Sequence, residues 1–373
     1  MKVLQVAPYF HPHVGGVESH VLDLSRKLAE FGFQIEIVTS MYERMKERER
    51  VFRLDVVRLK PIAIRWKTPI TFKLRKYVAS SDADIVHAHS PPPLDSYFAA
   101  RACESSGKPF VITYHCDLEI PGILGPLIVW MYEKTFGSYT VSSADKIIVT
   151  TGTYAATSRT VWKYLPAVIP NAVDSKMFNP SLDGSEIREM HNIGNDEKLV
   201  LFVGRLVSHK GIEHLLDAAK LVSDARFVIV GGGEFAEEFT RRSHHLGTAG
   251  NVIFAGRVPY SDLPKYYAAC DLSVLPSVSR LEAFGIAALE AMSSGRPVVV
   301  SDIPGVREVI TDGEEGLLCE PMNPEDLAKK ISLLLEDDAT RLRMGSKGRE
   351  KIEKCFDIGT VAKKVAEVYE SLL

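Results

Sequence analysis

Two glutamates separated by seven residues are the clearest sign of chemistry in this chain. Glu282 and Glu290 bracket a Phe-Gly step that follows an apolar run at residues 272–276. The run predicts a buried strand, and residues 286–292 predict a helix. Glu282 is therefore expected near the helix N-terminus at the carboxyl end of a strand. At about 1.5 Å per residue, Glu290 lies about 12 Å further on, a spacing that suits a sugar and a ribose joined by a diphosphate.

A second cluster combines two cations with two glycines. Arg205 and Lys210 lie between Gly204 and Gly211, directly after the strand predicted at residues 199–203. A lone Arg or Lys is usually solvated surface, but two of them at the carboxyl end of a strand favour anion binding. Acids for hydroxyls and bases for phosphates on one sheet edge predict a nucleotide-sugar site.

Two candidate positions lie in the first half of the chain. Gly15 and Gly16 lie in a loop before a predicted helix, where backbone N–H groups and the helix dipole favour an anion, although a tight turn explains them equally well. His115 follows the strand predicted at residues 110–114. It is a candidate for binding a sugar hydroxyl or a phosphate, and a structural histidine is the simpler alternative.

A glycine-rich stretch at residues 231–236 fits the loose G-x-G-x-x-A pattern of dinucleotide binding. The next strand ends in Gly256-Arg257 and lacks the acid that binds ribose. We therefore interpret Gly231 as a close approach of the backbone to a donor.

Metal-binding patterns are weak. Asp82 and Asp84 form a D-x-D, but they precede the strand predicted at residues 85–89 and so belong at its amino end. His87 and His89 share a strand face, without a third ligand evident in the sequence. We predict no metal site.

Composition indicates a globular protein with two domains of ordinary size, because 373 residues with 46% hydrophobic and 25% charged content can form two cores. The net charge of −3 argues against a general nucleic-acid binder. The basic residues are concentrated at residues 41–76, where 12 basic residues face 4 acidic ones.

The cysteines and the apolar runs of the sequence indicate the cellular compartment that we expect for the protein. The five cysteines have no C-x-x-C spacing, which predicts neither disulfides nor zinc and favours a reducing cytoplasm. The first apolar run is too short for a signal peptide. The longest, at residues 122–132, is too short to span a bilayer and predicts a core or interfacial helix.

Alternating strands and helices predict an α/β protein with two parallel sheets, each covered on both faces. The alternation restarts after a Pro-, Asn- and Asp-rich stretch at residues 170–198, which we interpret as a linker. The candidate residues fall at carboxyl ends of strands, where such sheets bind ligands. This agreement predicts two facing Rossmann-like domains with a donor site in the cleft between them.

With these residues collected, the chain resembles the retaining glycosyltransferases of the GT-B fold that include glycogen-synthase-like and phosphatidylinositol mannosyltransferase enzymes. The resemblance covers residues 3–373. It rests on Gly-Gly-Val-Glu at 15–18, Ile-Pro-Asn-Ala-Val-Asp at 169–174, the Arg205 and Lys210 cluster, and the E-x7-E of the two glutamates. The stretches at residues 11–20 and 170–174 look closest to the N-acetylglucosaminyl-phosphatidylinositol synthase branch, a hint about the acceptor.

The resemblance implies roles for these residues. Glu290 would hold the ribose hydroxyls, Glu282 and His115 would contact the donor sugar, and Arg205 and Lys210 would neutralise the diphosphate. The implied substrate-binding set is Gly15, Gly16, Arg205, Lys210, Gly231, Phe284, Gly285, Ile286 and Glu290. The acceptor domain would comprise residues 1–169 with a returning C-terminal helix at about 358–373, and the donor domain residues 170–357.

The reaction implied is sugar transfer with retained configuration, without a metal or a cofactor beyond the nucleotide-sugar co-substrate. The acceptor would be lipid-linked or a glycan, and nucleic acid is not expected as a partner. Two departures from the family pattern are Ala283 in place of the glycine of E-G-F-G and Pro304-Gly305 in place of a double glycine. The second leaves donor-sugar selectivity open.

Alternatives remain for both function and location. A non-hydrolysing sugar epimerase, a nucleotide-dependent oxidoreductase using residues 231–236 and a catalytically silent binding partner are the rival functions. The basic stretch at residues 41–76, with Val51, Phe52, Ile62, Ile64, Trp66 and Phe72 interleaved, predicts contact with an anionic membrane surface. A basic surface around a soluble acceptor explains it nearly as well. We expect a cytoplasmic protein, peripheral on the inner face of the membrane if that contact exists.

Overall fold

The computed structural model describes residues 1–13, 15–42, 45–65, 68–91, 93–120 and 122–373. Val14 and Trp66, which belong to stretches discussed above, lie outside these residues. The chain divides into two compact units, Met1–Asn171 with Ile358–Leu373, and Ala172–Asp357. The division falls two residues after the predicted boundary at 169/170, and the last helix belongs to the first unit.

The first unit contains ten strands among the described residues. They are β1 Lys2–Ala7, β2 Gln34–Ser40, β3 Arg48–Val51, β4 Leu54–Leu59, β5 Ala63–Arg65, β6 Thr68–Ile70, β7 Ile85–Ser90, β8 Phe110–Tyr114, β9 Lys146–Val149 and β10 Ala167–Val168. Eight of them form one sheet in the order β10-β9-β8-β7-β1-β2-β4-β3. All its pairs are parallel except β3 with β4. The strands β5 and β6 form a separate antiparallel pair.

Helices of the first unit connect these strands. They are α1 Gly16–Glu30, α2 Lys73–Ser80, α3 Pro93–Ser106, α4 Gly125–Tyr132, α5 Ser138–Ser142, α6 Gly152–Thr157 and the C-terminal helix Ile358–Glu370. In α1, Val21, Leu24 and Leu28 recur at helical spacing and are fully buried. The predicted βαβ unit at the start of the chain is confirmed.

The second unit has a six-stranded, wholly parallel sheet in the order β13-β12-β11-β14-β15-β16. Its strands are β11 Lys198–Val203, β12 Ala225–Val230, β13 Val252–Gly256, β14 Leu272–Leu275, β15 Val298–Ser301 and β16 Gly316–Cys319. Its helices are α7 Ser185–Met190, α8 Ile212–Leu221, α9 Ala236–Leu246, α10 Leu263–Ala269, α11 Ile286–Ser293, α12 Pro324–Glu336 and α13 Asp338–Lys351.

Alternate residues of the second sheet pack into two cores, one on each face. In β12, Val228 and Val230 belong to one apolar cluster, whereas Phe227 and Ile229 belong to the other. This alternation is the geometry of a strand buried on both sides. The predicted class, α/β with two parallel sheets covered on both faces, is confirmed.

The structure revises the interpretation of three parts of the chain. The stretch at residues 170–198 is no free linker, because Phe178, Ile187 and Ile193 are buried in the core of the second unit. The predicted helix at residues 122–132 forms as α4, and its mostly exposed apolar side chains exclude the core alternative and leave the interfacial one open. The strands β3 to β6 were not anticipated, since β3, β5 and β6 are only three or four residues long and the apolar run of β4 is interrupted by charged residues.

Candidate functional site

The strand order of each sheet defines a place where ligands of α/β sheets bind. In the second sheet the chain moves outward from β11 through β12 to β13, then returns to β14 on the other side. The loops after β11 and β14 therefore flank a topological switch point, the crevice at which such sheets bind ligands. Lys210 lies in the first loop and Glu282 in the second.

Lys210 and Glu282 form an ion pair at this point, and both side chains are largely buried, with 14% and 11% of their surface exposed. The Ser277 hydroxyl donates a hydrogen bond to the same carboxylate at 3.2 Å. Burial alone would raise the pKa of Glu282, but the positive charge and hydrogen bond of Lys210, with His209 and Ser277, outweigh it and lower the pKa. Glu282 is thus a carboxylate at neutral pH and a hydrogen-bond acceptor only.

Two glycines make this approach of the loops possible. Gly211 has φ +67°, and a methyl group there would overlap the carbonyl oxygen of Pro276 at the end of β14. Gly285 has φ +91° immediately before α11, and a methyl group there would come within 2.7 Å of the Leu275 side chain. Both conformations are strained for residues with a Cβ. Glycine at these positions lets the loop after β11 pack on β14 and lets α11 begin beside Glu282.

Glu290 lies on α11, as predicted, and is buried with 5% of its surface exposed. The hydroxyl of Tyr267, a fully buried residue of α10, donates to its carboxylate at 2.8 Å. Tyr267 therefore orients Glu290, a contact that the sequence did not indicate. The role of Glu290 towards a ribose stays a prediction.

The remaining predicted residues of the second unit differ in exposure. The side chain of Arg205 is exposed beside the Lys210 loop. Phe284 is buried, and its ring meets that of Phe356 edge to face at 5.9 Å. Ile286 is the first residue of α11, and the first N–H groups of a helix lack intrahelical partners. The backbone of this turn stays a predicted ligand for hydroxyls or phosphate.

The close backbone approach predicted at Gly231 is made to a neighbouring loop. A methyl group there would overlap the carbonyl oxygen of Gly204, and its own N–H donates to the carbonyl of Gly256 at 2.8 Å. The glycine run thus packs against the Arg205 loop. A contact between Gly231 and the donor stays a prediction. The N–H of Gly231 is already hydrogen-bonded to the carbonyl of Gly256.

In the first unit, Gly15 and Gly16 mark the start of α1. Gly15 is extended, with φ −172°, a conformation open to any residue. The carboxylate of Glu18 turns back over Gly15 and pairs with the imidazole of His13 at 3.0 Å. The N-terminus of α1 therefore already faces an acid, which an incoming anion would have to displace.

His115 follows β8 at the carboxyl edge of the first sheet and joins a buried chain of hydrogen bonds. Its Nε2 lies 3.2 Å from Nδ1 of His89, whose Nε2 lies 3.0 Å from Oε1 of Gln5. The Gln5 amide nitrogen donates to the hydroxyl of Tyr369 at 3.0 Å. That hydroxyl lies 2.6 Å from Nδ1 of His87. The chain thus connects β1, β7 and the C-terminal helix to His115.

A third histidine approaches the pair. His20 of α1 contacts His115 edge to face at 5.3 Å, and the ligand atoms of His20, His89 and His115 lie within 4.8 Å of one another. This cluster includes His89 but not His87, so it differs from the strand pair considered in the sequence, and the absence of a metal site stays a prediction. Burial lowers the pKa of His20 to about 4 and those of His89 and His115 well below the usual value. All three are neutral, and both nitrogens of His89 already have partners.

The D-x-D pair lies at the amino end of β7, as predicted. Asp84 accepts a hydrogen bond from the backbone N–H of Lys2 at 2.7 Å, and Asp82 pairs with the Lys2 ammonium group. These carboxylates are engaged in structural contacts at the amino edge of the first sheet, opposite the edge at which His115 lies.

One buried acid was missed by the sequence reasoning. Asp95, in the first turn of α3, is 2% exposed and accepts a hydrogen bond from the Ser40 hydroxyl at 3.1 Å. Burial raises the pKa of Asp95 to about 7. Its sequence context is typical of an ordinary helix start, so only the fold reveals its burial.

Comparisons with known proteins identify the family of this chain. The family model described as "Glycosyl transferases group 1" matches residues 183–351, and "Glycosyltransferase Family 4" matches residues 14–176. A phosphatidyl-myo-inositol mannosyltransferase of Mycobacterium leprae is 30% identical over 100% of this chain and 97% of its own. The sulfoquinovosyl transferase SQD2 of Arabidopsis thaliana is 30% identical over 94% of this chain and 70% of its own.

Solved structures show the same fold. Sucrose-phosphate synthase from Thermosynechococcus elongatus superposes with a TM-score of 0.84, at 25% identity, over 100% of this chain and 98% of its own. Anabaena HepE, solved in complex with UDP-glucose, gives 0.79 at 23% identity over 100% of both chains. The fold is therefore GT-B. The chain belongs to the group 1 glycosyltransferases with a family 4 N-terminal domain, and it is a transferase enzyme.

Proposed function

We propose that this glycosyltransferase moves a sugar from a nucleotide-diphosphate sugar to a hydroxyl of a lipid-linked or glycan acceptor, with retained configuration and without a metal. The ion pair of Lys210 with Glu282 at the switch point of the second sheet carries the proposal. This pairing supports the proposal because a cation suited to a diphosphate lies directly beside a carboxylate suited to sugar hydroxyls.

The charges of this site suit a departing diphosphate. Lys210 is held in place by Glu282 and Arg205 is exposed next to it, so two cations face the negative charge that develops on the leaving group. Charged groups held ready in this way stabilise a transition state without reorganising. These cations do the work that a metal ion does in other transferases.

In the proposed reaction, the bonds that form and the bonds that break are in balance without a further reactant. The bond between the anomeric carbon and the diphosphate oxygen breaks, and its electron pair stays on the diphosphate. The acceptor hydroxyl oxygen bonds to the anomeric carbon from the same face, and its proton passes to the departing phosphate oxygen. Retention is supported by the family resemblance.

A lipid-linked acceptor is supported by the surface of the first unit. In the basic stretch, Phe52, Ile62, Ile64 and Phe72 are exposed, as membrane contact requires, whereas Val51 is buried and cannot take part. On α4 and the turn before it, the apolar side chains of Ile123, Leu124, Leu127, Trp130 and Met131 are also exposed. Among the described helices, none is long and apolar enough to cross a membrane.

A donor screen followed by product analysis tests the proposal. Thermal unfolding with a panel of nucleotide-diphosphate sugars identifies the donor, which should raise the melting temperature more than the free sugar does. NMR of the glycoside formed with that donor should then show the anomeric configuration of the donor. An inverted product contradicts retention, and stabilisation by a nicotinamide or flavin cofactor alone contradicts the donor class.

A further inference from the structure

The hydrogen bonds that end at His115 have a direction, which is fixed by the amide of Gln5. Its carbonyl oxygen only accepts, so the facing Nε2 of His89 carries the proton. A neutral imidazole has one N–H, which leaves Nδ1 of His89 as an acceptor. Nε2 of His115 must then donate to it, and Nδ1 of His115 is left without a proton.

The other end of the chain is consistent with this direction. The amide nitrogen of Gln5 donates to the Tyr369 oxygen, so the tyrosine proton is directed to Nδ1 of His87. Nε2 of His87 then donates to the Thr113 hydroxyl at 2.7 Å. Each bond from Tyr369 to His115 has one donor and one acceptor.

Burial keeps the histidines of this hydrogen-bonded chain uncharged and leaves His115 as the member that solvent can reach. Burial lowers the pKa values of His89 and His115 well below the usual range, and that of His87 to about 3, so none is protonated at neutral pH. Gln5, His89 and Tyr369 are completely buried, whereas His115 keeps 5% of its surface exposed.

We propose that Gln5 and Tyr369 are positioning residues that fix His115 as the Nε2–H tautomer, so that His115 reads a sugar hydroxyl and not a phosphate. An unprotonated Nδ1 accepts from a hydroxyl, but a phosphate oxygen has no proton to give it. This inference rests on the proposed donor, and it decides between the two ligands that the sequence left open for His115.

The tautomer can be observed directly by NMR of protein labelled with ¹⁵N in its imidazole rings. The His115 signals are assigned by their loss in His115→Gln. In the wild type, the coupling pattern should show a protonated Nε2 and an unprotonated Nδ1. A proton on Nδ1 overturns the proposal.

Three variants test the positioning residues. Gln5→Met and Tyr369→Phe should give a mixture of His115 tautomers and lower kcat/KM for the donor by about 2- to 10-fold, as for one lost hydrogen bond. Gln5→Glu keeps an acceptor towards His89 and should restore the single tautomer. Tyr77→Phe serves as the matched control. It removes a hydroxyl that donates a hydrogen bond to Glu36, and neither residue belongs to the hydrogen-bonded chain that ends at His115. A tautomer unchanged in both Gln5→Met and Tyr369→Phe contradicts the proposal.

Adding ligands distinguishes hydroxyl binding, phosphate binding and metal binding at His115. The Nδ1 signal should move with the stabilising nucleotide sugar and stay in place with inorganic pyrophosphate. A shift with pyrophosphate alone overturns hydroxyl reading. Joint shifts of His20, His89 and His115 with one equivalent of zinc would make the cluster a metal site instead. Because the tautomer is read without turnover, a correct tautomer in a protein that transfers no sugar refutes only the proposed function.

Discussion

Lys210 and Glu282 form an ion pair at the topological switch point of the second sheet. The two residues are 72 positions apart and come from the loops after two neighbouring strands, β11 and β14. A donor diphosphate would therefore meet a lysine whose position is already fixed. The pairing also keeps Glu282 ionised, so the carboxylate is ready to accept from sugar hydroxyls.

Removal of the Lys210 charge should weaken catalysis far more than removal of a lysine elsewhere in the second unit. We expect Lys210→Ala to lower kcat by about 100-fold or more, because a preorganised charge at a leaving group contributes a few kcal/mol. Lys265→Ala removes a half-buried lysine that pairs with Glu186 in the same unit and should leave kcat unchanged. Steady-state kinetics on both variants makes the comparison, and equal kcat values would refute the role of Lys210.

The two glutamates should separate in their effects. Glu290→Gln should weaken binding of the nucleoside diphosphate by about 10- to 100-fold if a charge-assisted hydrogen bond is lost, whereas Glu282→Gln should mainly lower kcat. Tyr267→Phe should weaken nucleotide binding less, because it removes only the hydroxyl that orients Glu290. Calorimetric titration measures these affinities. Unchanged affinity in the Glu290 variant would overturn its assignment.

Stability of the first unit should fall in mild acid. His20, His87, His89 and His115 are buried with lowered pKa values, so below pH 6.5 the unfolded chain takes up protons that the folded unit does not. Each contributes stability that is present above pH 6.5 and is lost as pH falls towards its folded pKa. We expect a loss of several kcal/mol between pH 7 and pH 5, at about 1.4 kcal/mol per pH unit for each proton.

Asp95 should act in the opposite direction. Its folded pKa of about 7 lies above the usual 3.8, so its contribution is complete below pH 3.8 and is lost as pH rises to 7. Asp95→Asn should therefore steepen the loss of stability in acid, and His245→Gln, at an exposed position on α9, should not change it.

All three tryptophans (66, 130 and 162) lie in the first unit, so urea unfolding followed by tryptophan fluorescence reports on it. A pH-independent midpoint contradicts the assignment.

Membrane binding should depend on salt and on the basic stretch. We expect the protein to sediment with anionic liposomes at low salt and to be released at high salt. Lys73, Arg75 and Lys76 are exposed on α2, and reversing all three should abolish sedimentation, at about 1 kcal/mol per basic residue. Reversal of Lys363 and Lys364, which are exposed on the C-terminal helix, is the control. If the wild type stays in the supernatant with anionic and neutral liposomes, the acceptor is soluble.

The sequence predicted the elements with strong local patterns. The apolar runs of β8, β11 and β14 and the helix α11 were placed within a residue or two, because buried parallel strands are continuously apolar. The edge strand β3 and the separate pair β5 and β6 were missed because they are only three or four residues long, and β4, inside the sheet, was missed because charged residues interrupt its apolar run. Residues 170–198 read as a linker because isolated apolar residues among Pro, Asn and Asp carry no period.

Long-range contacts account for the parts of the site that the sequence did not predict. Gln5 and Tyr369 are 364 positions apart, so nothing local connects them. The third histidine, His20, lies with its ring 5.9 Å from that of His89 because α1 packs on the neighbouring strands β1 and β2. The residue types at Lys210 and Glu282 indicated their chemistry, but their mutual pairing depends on the strand order of the second sheet.

The most direct test of the account is acceptor-dependent release of nucleoside diphosphate in the presence of a chelator. The wild type is incubated with the donor from the thermal screen, a membrane lipid extract as acceptor and excess EDTA. We predict release that requires the extract, survives EDTA and falls about 100-fold in Lys210→Ala. Release abolished by EDTA and restored by manganese, or an epimerised sugar formed without any acceptor, would contradict the account.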